Sequence, residues 1–163
     1  GYSGGGKKMI ADYESEKRSP LLSAPRQYAL TQEHKHLKEM KAFTGLSEAP
    51  IFCPIVADFY SGMVVTVPLF AGDIAGGTTD IKEIYRKSYN TAIVRYKESP
   101  DEAGFFSAAG LSGRDSMEIS VLGNEERILL VARYDNLGKG ASGAAVECLN
   151  LVMSCDKTAG LVL

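Results

Sequence analysis

Residues 135–153 carry the longest helical pattern in the chain: Val146, Leu149, Val152 and Met153 recur at three- and four-residue spacing, and Ala141, Ala144 and Ala145 leave the first turns almost bare. Gly138, Gly140 and Gly143 open this pattern, so it predicts a helix whose start allows close approach, by a packed sheet or by a ligand drawn to its amides. Leu37, Met40 and Phe43 predict a second helix that Gly45 ends; Ile81, Ile84, Tyr85 and Tyr89 predict a third, capped at Asp80 and Glu83, with Lys82, Arg86 and Lys87 on its other face. Apolar residues 51–56, valine-rich residues 63–70 and the segments 27–31 and 91–97 predict strands, with Pro54 marking an edge or a bulge. Residues 116–122 and 127–134 predict a hairpin, residues 98–101 a turn, and residues 12–26, with two prolines and no period, a surface excursion. The expected class is α+β, a mostly antiparallel or mixed sheet covered by helices. Val64, Val65 and Val67, with residues 128–131, make strands apolar on both faces, so the sheet is expected to self-associate.

At 163 residues and 45% hydrophobic content, the chain is long enough for one domain with a sizeable core. Eighteen basic against 20 acidic residues, a formal net charge of −2, give no sustained basic face, and a nucleic-acid partner is discounted. No apolar run reaches bilayer length and no signal peptide is recognisable; Cys53, Cys148 and Cys155 are too scattered for a disulfide framework or a zinc site. These features predict a cytoplasmic protein with reduced thiols and no membrane partner.

Residues 1–8 satisfy a phosphate-loop spacing, but Lys8 stands where magnesium needs a hydroxyl and no strand precedes it, so nucleoside triphosphate chemistry is set aside. What survives is a flexible nest of amides beside Lys7 and Lys8, suited to an anion. His34 and His36 are the only histidines, with Glu39 three residues beyond the second. An imidazole titrating near neutral pH with a carboxylate to orient it suits a general acid and base. A solvated polar turn, or half of a metal site lacking further ligands, fits the same residues.

Three stretches resemble N-acetyl-gamma-glutamyl-phosphate reductases, in that family's order: Gly1-Tyr2-Ser3-Gly4-Gly5-Gly6-Lys7, His34-Lys35-His36 with Glu39, and Asp135-Asn136-Leu137 followed by Lys139-Gly140-Ala141, Gly143 and Ala145-Val146. The resemblance implies a reductase in which a cysteine thiolate displaces phosphate from an acyl phosphate, and the thioester is reduced by NADPH. It assigns acid–base catalysis to His36 or His34 with Glu39 as orienting partner, substrate binding to Ser3, Gly4 and Lys7, and the nicotinamide end of NADP to Asn136 and Gly140. No metal is implied. The family's Pro-Gly-Cys nucleophile and its Gly-x-Gly-x-x-Gly dinucleotide unit are both missing, which implies that residues 1–163 are the substrate-binding and oligomerisation domain of a longer two-domain enzyme, inactive alone. A homo-oligomer, dimer or tetramer, with a small acyl-phosphate substrate is expected; the alternative is a non-catalytic binding or assembly module. Leu37-Lys38 stand where many members carry Thr-Pro, and Ser61 where many carry Arg.

Overall fold

In the computed structural model, which describes residues 1–100 and 102–163, the chain packs as two compact units. One unit holds Gly1, Ser3 and Phe59–Leu163; the other holds Tyr2 and Gly4–Asp58. The last residue of the turn expected at 98–101, Asp101, lies outside the described residues.

The larger unit is built on a four-stranded mixed sheet, ordered β3-β6-β5-β4, and the α+β expectation holds. β6 (Arg127–Tyr134) runs antiparallel to β3 (Met63–Phe70) on one side and to β5 (Met117–Gly123) on the other, while the short β4 (Val94–Tyr96) runs parallel to β5. The hairpin closes where Asn124 Oδ1 accepts the N–H groups of Glu126 and Arg127 at 3.0 and 2.8 Å, a local side-chain turn that leaves β5 and β6 in register. Gly123 sits at φ 104°, and a Cβ there would fall 2.1 Å from the Arg127 carbonyl oxygen, so only glycine serves. Val121 and Ile128 are 1% and 0% exposed. α3 (Thr78–Ser88) packs on β4 and β5, laying the Arg86 guanidinium over the Tyr96 ring at 5.7 Å. Asp80 lies in the first turn of α3 and accepts the Gly77 N–H at 2.9 Å, so the cap begins three residues before the expected one.

β3 is an edge strand. Val65 and Val67, 40% and 47% exposed, pair with Ala132 and Leu130 of β6 and share one face with them. The segment expected as a strand at 91–97 contracts to β4 because Thr91 closes a turn on Val94, its Oγ1 accepting the Val94 N–H at 2.9 Å.

The predicted long helix divides in two: a π turn over Gly138–Ser142, then α4 (Gly143–Val152). Cβ atoms on Gly138 and Gly143 would fall 2.9 and 2.3 Å from Asp115 Oδ1, so these two glycines serve close packing. Leu149, Val152 and Met153, expected on the apolar face, are exposed.

The smaller unit departs most from expectation. Residues 1–8 form no flexible nest: a 3₁₀ turn at Tyr2–Gly5 leads into α1 (Gly6–Glu14), which extends into the segment expected as an irregular excursion. The cause is Met9 and Tyr13, one turn apart, which bury against Leu22 and Val56, with the Tyr2 and Tyr13 rings stacked at 4.7 Å. Arg18 clamps Asp58 in two parallel hydrogen bonds of 2.9 and 2.7 Å. The strands expected at 27–31 and 51–56 shrink to β1 (Arg26–Gln27) and β2 (Ile55–Val56). Ala29 and Gln32 adopt left-handed φ values of 52° and 58°, and Pro50 and Pro54 have no N–H for a ladder. α2 (Lys35–Thr44) matches its prediction and ends at Gly45, φ 72°, whose N–H bonds the Lys41 carbonyl.

Candidate functional site

The predicted site residues fall into two sets, one in each unit. In the larger unit the end of β6 delivers Asp135 into the interior, 2% exposed. Asp135 Oδ2 accepts the Ser61 hydroxyl at 2.7 Å and the Gly113 N–H at 2.6 Å; Oδ1 accepts the N–H groups of Leu137 and Gly138 at 2.6 and 3.1 Å. Ser61 spends its single proton on Asp135, so in the 2.6 Å contact between the Ser61 and Ser112 hydroxyls, Ser112 is the donor. Burial pushes the Asp135 carboxyl up; the bonds from Gly113, Ser61, Leu137 and Gly138 outweigh it and hold the carboxyl below its ordinary range. The Leu137 and Gly138 amides entering the π turn are therefore occupied by Asp135, which favours the close-packing alternative over a ligand drawn to these amides.

The same strand end fixes Asn136. Its Oδ1 accepts the Gly62 N–H at 2.9 Å and its Nδ2 donates to Ser3 Oγ at 2.9 Å. Two predicted site residues 133 positions apart thus meet directly. Beyond these bonds the amide retains one proton and one oxygen lone pair. Gly140 donates its N–H to the Asp135 carbonyl at 2.8 Å; a Cβ on it would lie 3.1 Å from that oxygen and 3.3 Å from the Tyr134 ring. Lys139 forms an ion pair with Glu147 of α4, both side chains largely buried.

In the smaller unit His34 and His36 flank the start of α2, ring centroids 4.6 Å apart and nearly perpendicular. The geometry separates their roles. His34 is the N-cap: its Nδ1 accepts the His36 N–H at 3.2 Å, so a neutral ring carries its proton on Nε2. His36 makes no such bond, and its Nε2 stands 3.9 Å from Glu39 Oε2, within ion-pair reach but too far for a hydrogen bond. Phe52 packs on both rings at 5.3 and 6.2 Å, and Tyr28 meets His34 at 5.9 Å. Gln32 holds Phe52 in place, donating to its carbonyl at 2.7 Å and accepting its N–H at 2.9 Å. Gln32, His34, Leu37, Lys38 and Lys41 line a groove of about 680 Å³. Gly4, in the 3₁₀ turn, and Lys7, at the start of α1, lie exposed. Among the described residues no group of three or more His, Cys, Asp or Glu is arranged to hold a metal, and no helix is long and apolar enough to cross a membrane.

Sequence reasoning missed Asp135 as a hub, Phe52 with Gln32, and the pair Glu118–Arg133. That pair was legible in principle, since Glu118 is the one charge in β5, Arg133 is the one charge in β6 beyond Arg127 at its start, and the two stand opposite each other across the turn. The Asp135 hub has no local signature, because its partners at 61 and 113 are distant in the chain.

Curated relatives include the N-acetyl-gamma-glutamyl-phosphate reductase of Sinorhizobium medicae (strain WSM419), 42% identical over 164 residues, covering 94% of this chain and 52% of the relative. The reductases of the same name from Sinorhizobium fredii (strain NBRC 101917 / NGR234) and Allorhizobium ampelinum (strain ATCC BAA-846 / DSM 112012 / S4) are 42% and 43% identical, with the same coverage. The chain spans about half the length of the curated relatives it matches. Residues 1–136, holding the Ser3 turn, both histidines and Asn136, match the family described as "Semialdehyde dehydrogenase, dimerisation domain", and the chain belongs to that family.

Proposed function

We propose that this chain is the substrate-binding and oligomerisation domain of a longer, cytoplasmic, NADPH-dependent reductase. The reaction converts N-acetyl-glutamyl 5-phosphate to N-acetyl-glutamate semialdehyde and phosphate in arginine biosynthesis, through a cysteine thioester. The observation that carries this reading is the 42% identity to reductases of that name across 94% of the chain. In it, the thiolate and the nucleotide-binding half come from sequence beyond this domain, and bound NADPH supplies hydride. His36 takes the thiol proton and later returns one to the oxygen of the reduced carbon, with Glu39, 3.9 Å from its Nε2, as orienting partner. His36 is preferred over His34 because the His34 Nδ1 is committed to capping α2. Ser3, Gly4 and Lys7 bind the anionic substrate. The free proton and lone pair of Asn136 fit a carboxamide, which suits the nicotinamide end of NADP, and Gly140 borders the same turn.

The test is to join the chain to the remaining half of the Sinorhizobium medicae reductase. The 163-residue chain alone should turn over no acyl phosphate with NADPH, and the joined protein should. Turnover by the chain alone, or none by the joined and folded protein, overturns the reading.

A further inference from the structure

The hydrogen bonds around Asn136 have a direction, and that direction ends on a proton with no acceptor. A backbone N–H can only donate, so the atom of Asn136 facing Gly62 N at 2.9 Å is the carbonyl oxygen, and the amide orientation is decided. The nitrogen then faces Ser3 Oγ at 2.9 Å, and because it can only donate, the Ser3 hydroxyl accepts there. The proton of that hydroxyl must point elsewhere, and among the described residues no acceptor receives it. Ser3 is 5% exposed, so bulk water satisfies the proton poorly. The arrangement is held on both sides: the Ser3 N–H bonds the Tyr60 carbonyl at 3.0 Å, and Asp135 anchors the turn beneath Asn136 through its bonds to Leu137 and Gly138.

We propose that Asn136 is a positioning residue whose amide holds the Ser3 hydroxyl as a hydrogen-bond donor toward a phosphate-type oxygen of the substrate. This rests on the acyl-phosphate reading given above. A neutral hydroxyl can turn either way, and an anion gains only from the donating state. Asn136 removes the other state before the ligand arrives, which spares binding the cost of ordering the hydroxyl.

The test uses inorganic phosphate titrated into the 163-residue chain, followed by the amide NMR signals of Ser3 and Gly62. Asn136→Asp keeps an acceptor for Gly62 but replaces the donor facing Ser3 with an acceptor, so Ser3 turns its proton inward. Phosphate should bind the unaltered chain saturably, and Asn136→Asp and Ser3→Ala should each weaken it by about tenfold or more, the scale of one charge-assisted bond. Ser3→Thr, which keeps a hydroxyl, should retain most of the affinity. Charge repulsion from the new carboxylate would act whether or not Ser3 is present, whereas reversal of the hydroxyl acts only where the hydroxyl exists. The decisive comparison is therefore Asn136→Asp in the Ser3→Ala background, where only the repulsion remains and the loss should be clearly smaller than in the unaltered chain. Additive losses, an unaffected Ser3→Ala variant, or no saturable phosphate response in the unaltered chain sinks the proposal. If the phosphate results come out as expected but N-acetyl-glutamyl phosphate fails to compete, the positioning role stands and the substrate assignment falls.

Discussion

Arg133 Nη2 meets Glu118 Oε2 at 2.7 Å across the β5–β6 register, with both residues 3% exposed. Arg95 and Lys97 reach the other Glu118 oxygen at 3.2 and 3.4 Å, and Arg133 Nη1 bonds Glu102 at 2.6 Å while the guanidinium stacks on Phe106 at 4.3 Å. Burial would raise the Glu118 carboxyl, but Arg133 and Lys97 outweigh it and hold it below the ordinary range. A charged ladder thus occupies the face opposite Val65, Ala132, Val67 and Leu130.

Removing one member of this pair strands the other charge in the interior. Glu118→Ala is expected to cost roughly 3 kcal/mol, read from the urea midpoint at constant slope. Replacing both residues by apolar ones, Glu118→Leu with Arg133→Met, should cost much less than the two single changes together. Strict additivity would mean the pair is not coupled.

Asp135 predicts a pH dependence of stability. Its folded carboxyl lies below the unfolded value of about 3.9, so its contribution is fully present above that value and fades as pH falls through the folded one. Asp135→Asn should flatten the acid limb below about pH 4 and lower neutral-pH stability by roughly 1–3 kcal/mol, because its NH₂ would oppose the donors at Ser61 and Gly113. An unchanged acid limb would show that other carboxylates carry it.

The two histidines should separate by readout. His34→Ala removes the α2 cap and should cost about 1 kcal/mol of stability, recovered by His34→Asn. His36→Ala should leave the melting temperature nearly unchanged and slow the joined reductase by about two to four powers of ten. The reverse pattern would transfer the catalytic role to His34.

The exposed valines of β3 predict self-association, in keeping with the family's description as a dimerisation domain. Val67→Lys should shift the chain toward monomer in light scattering at micromolar concentration while leaving its circular dichroism unchanged. A strictly monomeric unaltered chain would count against the assignment.

What the sequence by itself determined is whatever rests on near neighbours. Leu37, Met40 and Phe43 with Gly45 marked α2, and the two strand segments on either side of residues 123–126 marked the hairpin, since a helix face and a two-stranded turn are short-range patterns. The ordered motifs around Ser3, His34–His36 and Asn136 carried the family. Tertiary structure decided the rest. α1 forms from a glycine-rich start because Met9 and Tyr13 find Leu22 and Val56, and the strands near 27–31 and 51–56 nearly vanish where left-handed residues and prolines interrupt the ladder. It also gave His34 a helix cap to make that His36 does not, and brought Asn136 to Ser3. Hydrogen-bond direction and burial are relations between distant residues, and no local pattern encodes which donor will meet which acceptor once the chain has closed on itself.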